Sequence, residues 1–216
     1  MQLMKFTHSC VRITDGDRQL VIDPGAFSEV AEALAGVDAV LITHEHFDHV
    51  DIPRLAAAAD ANPQLRVWAP AAVAAQLARE PGLADRTTPV GPGEQLQVAG
   101  FEVRTFGGQH ALIHPSVPTI ANVAYLIDDA VYHPGDSYVV PPASVELGLI
   151  PLHAPWAKVA ETMDYAISLR PRRAMGIHDA LLAPPGLSLY RDRVAEAGAD
   201  FGTEFLRPEP GEVVVL

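Results

Sequence analysis

Hydrophobic and polar positions change rhythm several times along the chain. Near its start, short apolar runs alternate with turns, which predicts strands over residues 3–6, 11–14 and 20–23, with Asp15-Gly16-Asp17 as a turn. Two later pairs of runs, 95–98 with 101–106 and 122–127 with 130–133, are separated by Ala99-Gly100 and Asp128-Asp129, the spacing of two-residue hairpins. Continuous apolar runs at 39–42, 147–152 and 174–177 read as fully buried strands. Alanine-rich stretches with helical spacing lie between them. Ser28 is placed to cap a helix over 29–35 that Gly36 stops, and Asp51 to cap one over 52–59. Pro70 opens a helix over 71–79, residues 157–169 predict another, and 191–197 a last short one. Sheets covered by helices and built as one domain are the expected result.

Composition narrows the function classes. The 216 residues are 49% hydrophobic and 19% charged, enough to bury a core without disulfides. The formal charge of −12 counts against binding nucleic acid or an anionic membrane, both of which need cationic patches. Cys10 is the only cysteine, so no intrachain disulfide forms. The N-terminal residues lack the apolar stretch of a signal peptide, and no run approaches the ~18 apolar residues of a membrane span. A cytoplasmic protein acting on a small molecule is expected.

The informative segment is Thr43-His44-Glu45-His46-Phe47-Asp48-His49. It follows a buried run and precedes the Asp51-capped helix, so it occupies a loop at a strand end. Extended backbone puts His44, His46 and Asp48 on one side, and imidazoles with a carboxylate suit zinc, iron or manganese. Chance produces His-x-His-x-Asp-His in roughly one such chain per thousand, the false-positive scale for this motif. A divalent ion takes four to six ligands, so other strand ends must contribute. His110, Asp136 and His178 each stand just beyond an apolar run.

On these residues the chain resembles the metallo-β-lactamase superfamily of metal-dependent hydrolases, whose α/β fold is a four-layered αββα sandwich. Asp23, the His44-to-His49 cluster, His110, Asp136 and His178 match its motifs in order, and the resemblance spans nearly all of residues 1–216 as one domain. It implies two divalent metal ions, zinc first and manganese or iron as alternatives. One would be held by His44, His46 and His110, the other by Asp48, His49 and His178, with Asp136 bridging and Asp23 bracing the loop. Asp48 and Asp136 are the implied catalytic carboxylates, and water activated between the ions is the implied nucleophile. Thr7-His8-Ser9 and Gly107-Gly108-Gln109-His110 resemble the branch that includes ascorbate-6-phosphate lactonase. That branch implies cleavage of a small ester-like substrate, a lactone with or without a phosphate. A phosphodiesterase and a non-catalytic metal-binding protein are the alternatives, and assembly into a homo-oligomer stays open.

Further residues are expected to meet substrate. His8 lies towards the site in that branch, and His114 sits four residues beyond His110. Asn122 is placed to orient substrate, His153 and Trp156 share a loop after a buried strand, and Lys158 offers a cation to an anionic group. Phe6, Val11, Ile13, Leu20, Ile22, Val40, Ile42, Val103, Leu126, Val131, Ile150 and Ile177 are the expected core.

Overall fold

The period-two alternation within the buried strands decides the architecture, because each strand sends successive side chains to opposite faces. A computed structural model describes residues 1–216. The first sheet contains β1 (Gln2–Lys5), β2 (Val11–Asp15), β3 (Arg18–Ile22), β4 (Ala39–Leu41), β5 (Arg66–Ala69) and β6 (Thr87–Pro89), joined at its edge by β14 (Val213–Val215), in the order β14-β1-β2-β3-β4-β5-β6. The second holds β7 (Gln95–Val98), β8 (Phe101–Gly107), β9 (Val123–Ile127), β10 (Val131–His133), β11 (Leu147–Pro151), β12 (Arg173–Ile177) and β13 (Glu204–Leu206), in the order β13-β12-β11-β10-β9-β8-β7. Helices α1 (Val30–Ala33), α2 (Ile52–Ala61) and α3 (Ala71–Leu77) belong to the first half, α4 (Val159–Leu169) and α5 (Pro184–Ala199) to the second.

Three apolar layers follow. Between the sheets, Leu3, Ile13, Leu20, Leu41, Tyr125, Ile127, Leu149 and Ile177 are wholly buried. Their strand neighbours Val40, Ile42 and Val67 face outward into a second layer with Leu55, Val73 and Leu77 of the helices. Leu126, Ile150 and Ala174 do the same on the other side, against Tyr165, Leu169 and Val194. This is the αββα sandwich, and all twelve expected core residues are buried in one of its three layers. Both faces of the central strands are covered, which is why their sequences run apolar without a break. No helix is long and apolar enough to cross a membrane.

Strand direction fixes where chemistry collects. β1, β3 and β4 run parallel to one another, as do β8, β10, β11 and β12, since each intervening antiparallel strand restores direction. Their C-terminal ends gather at one rim of each sheet, where open α/β sheets place their sites. The two rims are stitched together: Val123 N–H donates to Thr43 O at 2.9 Å, Tyr125 OH to Ile42 O at 2.8 Å, and His133 Nε2 to Ser9 O at 2.9 Å.

Several expected elements differ. Ser28 donates its hydroxyl to Gly25 O instead of capping, and the first helix shrinks to four residues, Val30–Ala33, against the 29–35 expected. Asp51 does cap α2, accepting from Arg54 N at 3.0 Å, and that helix continues to Ala61. The helices expected over 71–79 and 157–169 are trimmed to Ala71–Leu77 and Val159–Leu169. The last helix begins seven residues earlier than expected, because Pro184 and Pro185 occupy its first turn, where a missing N–H costs nothing. Strands β5, β6, β13 and β14 were not expected. They are short or carry exposed polar positions, and only sheet pairing makes them strands. Both hairpins form at Ala99-Gly100 and Asp128-Asp129, with positive φ at all four residues as a tight hairpin turn requires.

Candidate metal centre

Seven side chains from four chain segments converge at the joined rims. The loop after β4 delivers His44, His46, Asp48 and His49. The ends of β8, β10 and β12 deliver His110, Asp136 and His178. Alternation within the loop sends Glu45 and Phe47 away from them, to a separate hollow of about 360 Å³ that also touches Gln76 and Pro53. The functional side chains form two groups whose ligand atoms lie within 4.8 Å of one another: His44, His46, His110 and Asp136, and His8, Asp48, His49 and His178. Asp136 joins the groups. Its Oδ2 is 3.3 Å from His110 Nε2 and 3.1 Å from His178 Nε2, and its Oδ1 is 3.0 Å from His49 Nε2.

Four of the five ligating imidazoles are oriented from behind. His49 Nδ1 donates to Asp23 Oδ2 at 2.6 Å, His110 Nδ1 to Ala111 O at 2.6 Å, and His178 Nδ1 to His153 O at 2.6 Å. Thr43 Oγ1 donates to Asp23 Oδ2 at 2.7 Å and so receives His44 Nδ1 at 3.0 Å. In all four rings the proton is placed on Nδ1, which leaves the Nε2 lone pair aimed at the centre. His49 Nε2, His110 Nε2, His178 Nε2 and Asp136 Oδ1 are buried and make no hydrogen bond. Such atoms are costly to leave unpaired, and four of them facing one another are explained by a cation. The donor set, imidazole nitrogen and carboxylate oxygen without thiolate, fits a first-row divalent ion.

The electrostatics agree. Burial alone would raise the Asp136 carboxyl, but the His49 and His178 imidazoles hold it well below the usual carboxylate range. Burial pulls His49 down, and Asp136 and Asp23 on either side outweigh it, so His49 sits well above the ordinary value. A cation in the cluster would take the place of that proton. Burial, reinforced by the charge of His49, holds His44 well below the ordinary range.

A family model described as "Beta-lactamase superfamily domain" matches residues 2–178. The chain belongs to the metallo-β-lactamase superfamily of metal-dependent hydrolases. It is 41% identical over 201 residues to the Mycobacterium tuberculosis protein Rv0786c, covering 91% of this chain and 92% of that one. It is 31% identical over 152 residues to a Xanthobacter autotrophicus protein named "UPF0173 metal-dependent hydrolase", covering 63% of this chain and 62% of that one. Igni18, a metallo hydrolase from Ignicoccus hospitalis, shares the fold with a TM-score of 0.73 at 18% identity, covering 99% of this chain and 97% of its own.

Within this superfamily fold the remaining expected residues divide. Asp23 is fully buried and accepts from Thr43 N at 2.8 Å as well as from Thr43 Oγ1 and His49, so one carboxylate fixes both ends of the loop. His8 is buried with its ring 4.0 Å from that of His178. Its Nδ1 accepts the Ala180 N–H at 3.3 Å, so Nε2 carries the proton and donates to Asp48 Oδ2 at 3.1 Å. His8 therefore orients a ligand and has no lone pair left to be one. Burial lowers its pKa to about 4 against the pull of Asp48, which itself falls to about 2 because the His8 bond and the charge of His49 outweigh its burial.

Four residues expected to meet substrate make other contacts in the fold. Asn122 is fully buried, donating Nδ2 to Pro134 O at 2.9 Å and accepting Asp136 N at 3.0 Å, so its amide shapes the Asp136 loop. His114 is exposed and bound to its own turn, accepting from Ser116 N at 3.1 Å. Lys158 is 81% exposed, and its amine lies 3.8 Å from Glu161, one turn along α4. His153 serves the centre through its carbonyl, while its ring packs 5.5 Å from Tyr190. Trp156 does reach the centre, donating Nε1 to Asp136 Oδ2 at 2.9 Å.

The resemblance named Asp23, but sequence reasoning missed the other supports. Thr43 relays between Asp23 and His44. A Cβ at Gly25 would stand 1.8 Å from Asp48 O, so the ligand loop leans directly on glycine backbone. Lys5 is almost fully buried, 3.2 Å from Asp179, the residue after His178, and donates to the backbone at Phe6 O. An isolated lysine inside an alternating strand was the available signal.

Proposed function

We propose that the protein is a dinuclear hydrolase of a small ester-like substrate, with a lactone as the first choice. The observation that supports it most strongly is the convergence of two imidazole-rich clusters on the single carboxylate Asp136. His44, His46 and His110 would hold one divalent ion, Asp48, His49 and His178 the other, and Asp136 both. Zinc is our first assignment, with manganese or iron suited to the same donors. Such ions, when bound, lower the pKa of water from 15.7 towards about 7 and polarise the bond to be broken.

The chain's own contribution is orientation. Asp23, Thr43, Ala111 O and His153 O each hold an imidazole with its lone pair inward, and His8 holds Asp48. Asp48 can also accept a hydrogen bond from the attacking water and align it. An uncharged lactone is favoured over a phosphorylated one, because the cation expected to meet a phosphate, Lys158, is directed to Glu161 and solvent. Acidic surface charge and the buried Cys10 thiol, raised far above the ordinary range by burial, suit action in the cytoplasm on a small molecule.

Metal analysis of the purified protein, followed by pH-stat assays on lactones and assays on bis(p-nitrophenyl) phosphate, tests this reading. About two equivalents of metal and lactone opening are expected, with both lost in a His44→Ala, His178→Ala double variant. Phosphodiester cleavage without lactone opening would move the protein to the phosphodiesterase reading. Metal binding with no turnover of either class would leave a metal-binding protein.

A further inference from the structure

The loop between β11 and α4 touches the centre twice. His153 O receives His178 Nδ1, and three residues on, the Trp156 indole donates to Asp136 Oδ2 at 2.9 Å. That oxygen is the one lying 3.3 Å from His110 Nε2 of one cluster and 3.1 Å from His178 Nε2 of the other. An indole N–H can only donate, and once buried it needs an acceptor. At 9% exposure, Trp156 has found the atom that joins the two clusters.

Neighbouring rings hold the indole in place. Tyr138 packs edge-on at 5.1 Å, and its hydroxyl is 2.7 Å from Thr162 Oγ1 on α4. The His110 ring also packs edge-on, its centroid 5.9 Å away at 77°. Rotation about the Asp136 side chain would break the indole bond and bring Oδ2 away from both clusters together.

Resting on the dinuclear reading above, we propose that Trp156 is a positioning residue of the metal centre. Its N–H holds Asp136 Oδ2 at the junction of the two clusters, which ties the β11–α4 loop to metal loading. Phenylalanine keeps the ring and removes the donor. Groups that orient metal ligands typically contribute 10–100-fold to affinity.

Zinc titration of the metal-free protein against a chromogenic chelator reads this directly. Trp156→Phe is expected to bind zinc about 10–100-fold more weakly than wild type, while Tyr138→Phe, which leaves the indole N–H in place, changes affinity far less. A second measurement does not require the Phe variant to fold. In Trp68→Phe protein, where Trp156 is the remaining tryptophan, emission should change in step with zinc occupancy. Unchanged zinc affinity in Trp156→Phe, or emission in the Trp68→Phe protein that is indifferent to zinc, would overturn the proposal. Wild-type protein that binds zinc but cleaves no ester would defeat the hydrolase reading and leave this one standing. Protein that takes up neither zinc, manganese nor iron would overturn both.

Discussion

The His44, His46 and His110 cluster has three imidazoles and no carboxylate of its own, and His46 is only half-buried. The Asp48, His49 and His178 cluster also has one half-buried ligand, Asp48, but it is enclosed by polar partners. It carries its own carboxylate, His49 is backed by the charged Asp23, and Asp48 is held by His8. Charge-assisted bonds of this kind are about twice as strong as neutral ones, whereas His110 leans on a backbone carbonyl and His44 on a hydroxyl. Two similar sets of ligand atoms thus have unequal support. The enclosed cluster should hold its ion more tightly, and the open one should exchange first.

Ligand removal should separate the clusters most sharply. His44→Ala is expected to leave about one metal equivalent, in the enclosed cluster, and His178→Ala about one in the open cluster, while Asp136→Ala loses both, since this carboxylate belongs to each. Hydrolysis should fall by at least about 10²–10³-fold in all three, the scale of losing one electrostatic stabiliser of a transition state. Plasma mass spectrometry of each purified variant checks the counts. Full occupancy in Asp136→Ala would mean that the clusters do not share it.

Next in size is Asp23→Asn. Asp23 accepts from Thr43 N, Thr43 Oγ1 and His49 Nδ1. The amide keeps the shape but gives up the charge behind His49, so the enclosed cluster should lose about 10–100-fold in zinc affinity, and the open cluster much less. Competition with a chelator resolves the two phases. Equal losses in both would show that Asp23 acts on the loop as a whole and that the asymmetry lies elsewhere.

How far the sequence exposed this arrangement depends on range. The ligand positions stood out because four crowd into one loop after a buried run and His110, Asp136 and His178 are isolated polar residues beyond apolar runs. Sheets covered by helices were legible from runs that pack on both faces, and the resemblance supplied the four layers. Apart from Asp23, the supports were not legible. Gly25 touches Asp48 across the fold, Trp156 reaches Asp136 from another loop, and Asn122 looked like a polar residue available to substrate until both ends of its amide proved to be spent on the Asp136 loop. Local pattern shows which residues must leave the core. It does not show which backbone they lean on. The missed strands have the same origin, since β14 exists only through its pairing with β1.

Gly25 carries that point into a smaller expected effect. In Gly25→Ala the new methyl would meet Asp48 O at 1.8 Å and His49 N at 2.4 Å, so the loop must shift. Overpacking of this kind costs about 1–3 kcal/mol, and the displaced residues belong to the enclosed cluster alone. The expected variant is less stable to urea, binds about one zinc, and keeps the open cluster. Loss of the open cluster first would reverse the ranking of the two.

The smallest effect tests the seam on which both clusters stand. His133 is fully buried, donating Nε2 to Ser9 O across the sheets and accepting the Gly135 N–H at Nδ1, so the uncharged ring uses both nitrogens. Burial holds its pKa below the ordinary value, against the partial pull of Asp23. The unfolded chain takes up a proton near pH 6.5 that the folded ring refuses. Stability is therefore complete above that pH and falls as pH drops towards the folded value, with a slope of at most about 1.4 kcal/mol per unit from this residue. Metal-free wild type should lose more stability between pH 7.5 and 5.5 than His133→Gln, by urea titration at each pH. Other buried histidines, His8 and His44 among them, add to the same slope, so the variant should flatten it without abolishing it. Identical slopes would mean that His133 is already charged in the fold, and that the seam is held by an ion pair with Asp23, 4.0 Å away, in place of two neutral hydrogen bonds.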